Sequence, residues 1–95
     1  MTLEELRARR DEIDAIARRH GAHDVRVFGS AVRGQADPHG DIDLLVDLEP
    51  GRSVMDLGGL LMGLQEHLQC KVDVMTPAML KPRIREQALR EAMLL

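Results

Sequence analysis

Aromatic residues are nearly absent from this sequence: Phe28 stands alone, with no Trp and no Tyr. Single-stranded nucleic acids are usually held by stacking bases on aromatic side chains, so that kind of platform is excluded. The lack of Tyr also excludes self-modification on a phenol. The only hydroxyl side chains are Thr2, Ser30, Ser53 and Thr76. Cysteine is limited to Cys70, which rules out an internal disulfide and a multi-cysteine zinc site. Cys70 falls at the end of an apolar helical pattern and reads as a half-buried small hydrophobe. Lysine is scarce too, with Lys71 and Lys81 against eleven Arg. A net charge of -3 and a pI near 5.7 lack the basic excess of a nucleic-acid binder. No stretch approaches the roughly 18 apolar residues of a membrane span. The amphipathic start has no signal-peptide core. A cytoplasmic protein is expected, with no membrane contact and no direct nucleic-acid binding.

What remains is an ordinary globular composition, 44% hydrophobic and 31% charged over 95 residues. That is one domain, residues 1–95. So small a domain buries a modest share of its surface, and a homo- or hetero-oligomeric partner would add to its stability.

Thr2 and Glu5 fit a capping box for a helix over residues 2–20, which Gly21 ends. Its Arg-rich side reads as a solvated face. Val25 to Phe28 is a short strand broken by Gly29-Ser30. One helical turn is expected at residues 31–33 and a loop over 34–40. Asp41 to Leu48 is the clearest strand, closed by Pro50-Gly51. Ser53 to Leu68 is apolar at helical spacing. Gly58, Gly59 and Gly63 weaken that helix and are expected to let it pack closely on the sheet. Lys71 to Met75 is a third strand. Thr76-Pro77 looks like a helix start. Pro82 opens a last helix with Ile84, Ala88, Leu89 and Met93 on its apolar side. The order implies an α/β (α+β) fold, a small mixed sheet of three or four strands covered by helices. Met55, Met62 and Met79 read as core filler. His20, His23 and His67 show no mutual metal-ligand spacing, and His39 reads as a loop residue.

Three features ask for more than a folding role. Asp41 and Asp43 lie two apart on a strand, so both carboxylates face one side. Like charges that close destabilise the fold unless a cation lies between them, and magnesium favours such oxygens together with phosphates. Gly29-Ser30 follows a strand, where glycine permits close backbone approach and a helical turn offers N–H groups to phosphate. Asp73 points away from Val72 and Val74 and can reach the Asp pair if the strands are neighbours. It could then ligate a metal or take a proton. Taken singly, each pattern is common in turns, caps and strand edges.

Together they are specific. The run Val27-Phe28-Gly29-Ser30-Ala31-Val32-Arg33-Gly34, with the ten residues 31–40 between Ser30 and the run Asp41-Ile42-Asp43-Leu44-Leu45-Val46, resembles the signature of the DNA polymerase beta-like nucleotidyltransferases. With Lys71-Val72-Asp73-Val74-Met75 and the stretch from Ile84 to Leu95, nearly the whole chain resembles the minimal nucleotidyltransferase (MNT) family. Val32 and Gly40 depart from that family's pattern, and neither is a proposed ligand.

The resemblance implies that Gly29, Ser30 and Arg33 contact nucleotide phosphates. It implies that Asp41, Asp43 and Asp73 are catalytic metal ligands for two Mg2+ ions. ATP is the implied substrate. The same family implies an antitoxin paired with a HEPN-domain toxin, and AMP transfer to that partner. Two other readings stay open: a binding-only module that neutralises the toxin, and a small-molecule (aminoglycoside-type) transferase.

Overall fold

The Thr2 hydroxyl accepts the Glu5 N–H at 3.2 Å, one half of the expected capping box, while the Glu5 carboxylate accepts from the Thr2 hydroxyl at 3.3 Å rather than from its N–H. The computed structural model describes residues 1–29, 32 and 42–95. The single helix expected over 2–20 is two, α1 (Leu3–Ala8) and α2 (Arg10–Arg19), parted at Arg9 with φ -105° and ψ 14°. No Gly, Pro or capping side chain marks that break. Arg7 and Arg10 are not simply solvated: they donate to the Leu94 and Leu95 carbonyls at 3.3 and 3.2 Å.

Strands β1 (Ala22–Phe28) and β2 (Ile42–Leu48) pair antiparallel, and β2 pairs parallel with β3 (Val72–Met75). The parallel pair is joined by α3 (Val54–Leu68), because parallel neighbours need a crossover. Ser53 caps α3, accepting the Met55 N–H at 3.2 Å, while the Asp56 carboxylate accepts the Ser53 N–H at 2.9 Å. After β3 comes a 3-10 turn, Pro77–Met79, then α4 (Pro82–Glu91). The last helix was expected to carry Met93. It stops at Glu91 instead, and Met93–Leu94 form β4 against β1. The physical reason is the open edge of β1, whose Val25 carbonyl also accepts the Leu95 N–H at 3.2 Å. The four strands run β3-β2-β1-β4, a mixed sheet within an α+β fold.

Alternation along the strands sorts the two faces. Val25, Val27, Ile42, Leu44, Val46, Val72 and Val74 join Leu6, Ile13, Ala17 and the α3 leucines 57, 60, 64 and 68 in one buried cluster. Those leucines fall on one helical stripe. Met55 and Met62 lie elsewhere on α3 and are 86% and 72% exposed, and Met79 is 55% exposed, so the core-filler reading is overturned. The glycines also act differently from expectation. A Cβ at Gly59 would sit 2.9 Å from His20, and one at Gly63 3.3 Å from Ile16, so they admit α2 rather than the sheet. Cys70 is half-buried as expected, and burial raises its thiol pKa.

Candidate functional site

The opposite face of the sheet holds Phe28 on β1, Asp43 on β2 and Asp73 on β3. Their backbones are in register: Phe28 pairs with Asp43, and Asp43 with Asp73. Neighbouring strands lie about 4.8 Å apart, so the two carboxylates stand side by side on one face. Both residues are half-buried. This is the neighbour relation that Asp73 required, and it follows from the parallel pairing across α3.

Gly29 ends β1 with φ +80°, a torsion that side-chain-bearing residues rarely adopt. It is buried, and a Cβ there would sit 2.7 Å from Asp43 Oδ2. The glycine backbone therefore lies against the carboxylate itself. Two hard-oxygen donors facing one space, with a glycine clearing room beside them, fit a divalent cation such as Mg2+. Ser30, Arg33 and Asp41, with His39, lie outside the described residues.

In front of Asp43 is a cavity of about 200 Å3 lined by Phe28, Gly29, Asp43, Ile84, Gln87, Ala88 and Glu91. Its far wall is α4, whose positions 84, 87, 88 and 91 make one helical face. Gln87 donates to Glu91 at 3.3 Å along that wall. Arg85 fixes the helix start, donating to the Pro77 and Leu80 carbonyls at 2.7 and 3.0 Å. Sequence reasoning did not single out Gln87 or Glu91. Their i, i+4 spacing beside the apolar Ile84 and Ala88 was the available signal.

Two other features lie away from this chemistry. A larger cavity, about 470 Å3, opens between α2, the start of β1 and Leu94–Leu95. None of Gly29, Asp43 or Asp73 lines it. The second feature is His23, Asp24 and Asp47, whose ligand atoms come within 4.8 Å of one another because His23 pairs with Asp47 across the sheet. Asp47 is already ion-paired with Arg26 at 3.1 Å. Four residues along β2, roughly 13 Å, separate Asp47 from Asp43. Of these features the smaller cavity is the one lined by both Gly29 and Asp43, with Asp73 one strand away from Asp43.

Residues 10–95 match the nucleotidyltransferase domain family. The chain is 37% identical over 95 residues to MntA, a protein adenylyltransferase of Thermococcus cleftensis, covering 96% of this chain and 93% of that one. It is 36% identical over 81 residues to a chain of Methanocaldococcus jannaschii assigned as a protein adenylyltransferase, covering 85% and 87%. A solved structure described as a minimal nucleotidyltransferase superposes with a TM-score of 0.88 at 48% identity, covering 100% and 97%. A toxin–antitoxin crystal structure with AMP-PNP superposes with a TM-score of 0.75 at 19% identity, covering 88% and 69%, a likeness of fold.

Proposed function

The chain belongs to the nucleotidyltransferase domain family and is a nucleotidyltransferase, and from that premise we propose that it transfers AMP from ATP to a hydroxyl of a partner protein, a HEPN-domain toxin, and so acts as its antitoxin. The observation that carries the chemistry is the register pairing of Asp43 with Asp73 beside the Gly29 turn. The names of the two relatives support protein as the acceptor class. The toxin–antitoxin complex of the fold neighbour supports a toxin partner and an adenine nucleotide.

In this reading the acceptor oxygen attacks the α-phosphorus of ATP. A new P–O bond forms, the bond to the bridging oxygen of the β-phosphate breaks, and pyrophosphate leaves. The hydroxyl proton passes to the Asp73 carboxylate, one strand from Asp43. Gly29 and Ser30 seat the phosphates through backbone N–H groups, and Arg33 steadies the triphosphate. Asp41, Asp43 and Asp73 would hold the two Mg2+ ions, which supply charge neutralisation on the phosphates. The α4 wall, with Gln87 and Ile84, bounds the space in front of Asp43.

The test is incubation with magnesium and α-labelled ATP, with and without the HEPN-type partner, beside an Asp41→Ala/Asp43→Ala variant. The expected result is label on the partner that the variant fails to transfer. Tight partner binding by both proteins with label on neither would overturn transfer and leave a binding module.

A further inference from the structure

Phe28 is the only aromatic residue of the chain, and it stands on the site face of the sheet in register with Asp43. It lines the cavity of about 200 Å3 in front of that carboxylate, and Ile84, Gln87 and Glu91 of α4 form another wall. One ring cannot make the platform of a single-strand binder. It is enough to stack one base.

The topology indicates which part of the reaction enters here. In the sheet order β3-β2-β1-β4, Asp73 lies on one side of Asp43 and Phe28 on the other. An acceptor hydroxyl that gives its proton to Asp73 approaches over β3. The β1 side of Asp43, with the Gly29 turn, is left for the donor nucleotide. Asp73 does not line the cavity. Among the described residues that do, none is basic and Glu91 is acidic. Such a space repels phosphate and suits the uncharged end of the nucleotide.

Gln87 gives that space a hydrogen-bonding edge. Its Nε2 donates to Glu91 Oε1 at 3.3 Å. An ionised carboxylate only accepts, so the amide nitrogen must face Glu91, which fixes the orientation of the amide. The Gln87 carbonyl oxygen and second N–H form one acceptor beside one donor. Adenine carries the complementary pair, the N6 amino group beside N7, whereas guanine places two acceptors there, O6 and N7. We propose that this cavity is the nucleobase subsite, with the base stacked on Phe28 and Gln87 selecting adenine over guanine. The assignment rests on the transferase reading and adds the residues that choose its nucleotide. Glu91 acts through Gln87 as a positioning residue.

The test is calorimetric titration of the full chain with MgATP and MgGTP, without acceptor protein. ATP should bind about 10-fold more tightly than GTP, toward the lower end for a bidentate contact because Gln87 is exposed. Gln87→Met, close to isosteric and without the amide, should bind ATP about as weakly as GTP, with its GTP affinity and melting temperature unchanged. Phe28→Leu should weaken both nucleotides by a similar factor, roughly 5-fold or more, because stacking does not discriminate between bases. An ATP preference intact in Gln87→Met, or no preference in the unaltered chain, would overturn the proposal. So would a Gln87→Met variant with unchanged affinities and reduced labelling of the partner at saturating ATP, which would give the α4 wall to the acceptor. Preferential ATP binding lost in Gln87→Met, with no label moved to any protein, would sink the transferase reading and leave the base subsite standing.

Discussion

A side chain at position 29 would meet an unfavourable torsion and a carboxylate at once, with φ at +80° and the added Cβ 2.7 Å from Asp43 Oδ2. Gly29→Ala is therefore expected to cost about 1–3 kcal/mol of stability from backbone strain. It should also push Asp43 out of place, so that nucleotidyl transfer falls much further than stability does. Chemical denaturation and a transfer assay on the same preparation separate the two losses. Asp73 gives the opposite pattern. Asp73→Asn removes a like charge directly opposite Asp43, so stability without magnesium should hold or rise by about 0.2–1 kcal/mol. Activity should drop at least roughly 100-fold, the lower range for losing a proton acceptor. Adding Mg2+ should raise the melting temperature of the unaltered chain and leave the variant nearly unmoved. Equal magnesium shifts in both would remove Asp73 from the site.

Among the elements, α3 shows how local and tertiary contributions compare. Its capping box predicts that Ser53→Ala costs about 1 kcal/mol. Leu60→Ala, at a fully buried position on the same helix, should cost about 2–5 kcal/mol. Core packing thus outweighs the cap, and urea titrations of both variants would check the ratio. The cap also carries a pH signature. The Ser53 N–H hydrogen bond holds the Asp56 carboxyl below its ordinary value near 3.8, helped by Arg52. Because the folded pKa is depressed, this contribution is complete above the unfolded pKa. It is lost as pH falls through the lower folded value. The melting-temperature gap between the unaltered chain and Asp56→Asn should hold from pH 7 to about 5 and close below about pH 4. A gap that widens toward acid would contradict the assigned direction.

At the scale of the whole molecule, the legible parts were those with a clean period. The apolar run of β2 and the leucine row of α3 stand out in the sequence, and strand parity alone placed Asp73 opposite its valines. The adjacency of Asp43 and Asp73 then depended on β2 and β3 being neighbours, which the crossover helix makes natural. Other features had no local signal. Met93 satisfies a helical period after Ala88 and Leu89, yet the unpaired edge of β1 draws it into a strand. Met55 and Met62 are apolar, yet four leucines already fill the stripe facing the sheet. Gln87 and Glu91 reach the site only because α4 folds back across it. In each case a long-range contact settles what short-range preference leaves open.

The pairing of Val27 with Met93 has a consequence during synthesis. A ribosome adds about 5–20 residues per second, so β1 waits roughly 3–13 seconds between its own synthesis and that of the strand that covers its free edge. For that interval the nascent chain offers an apolar strand with one bare side, open to chaperones or to a neighbouring nascent copy.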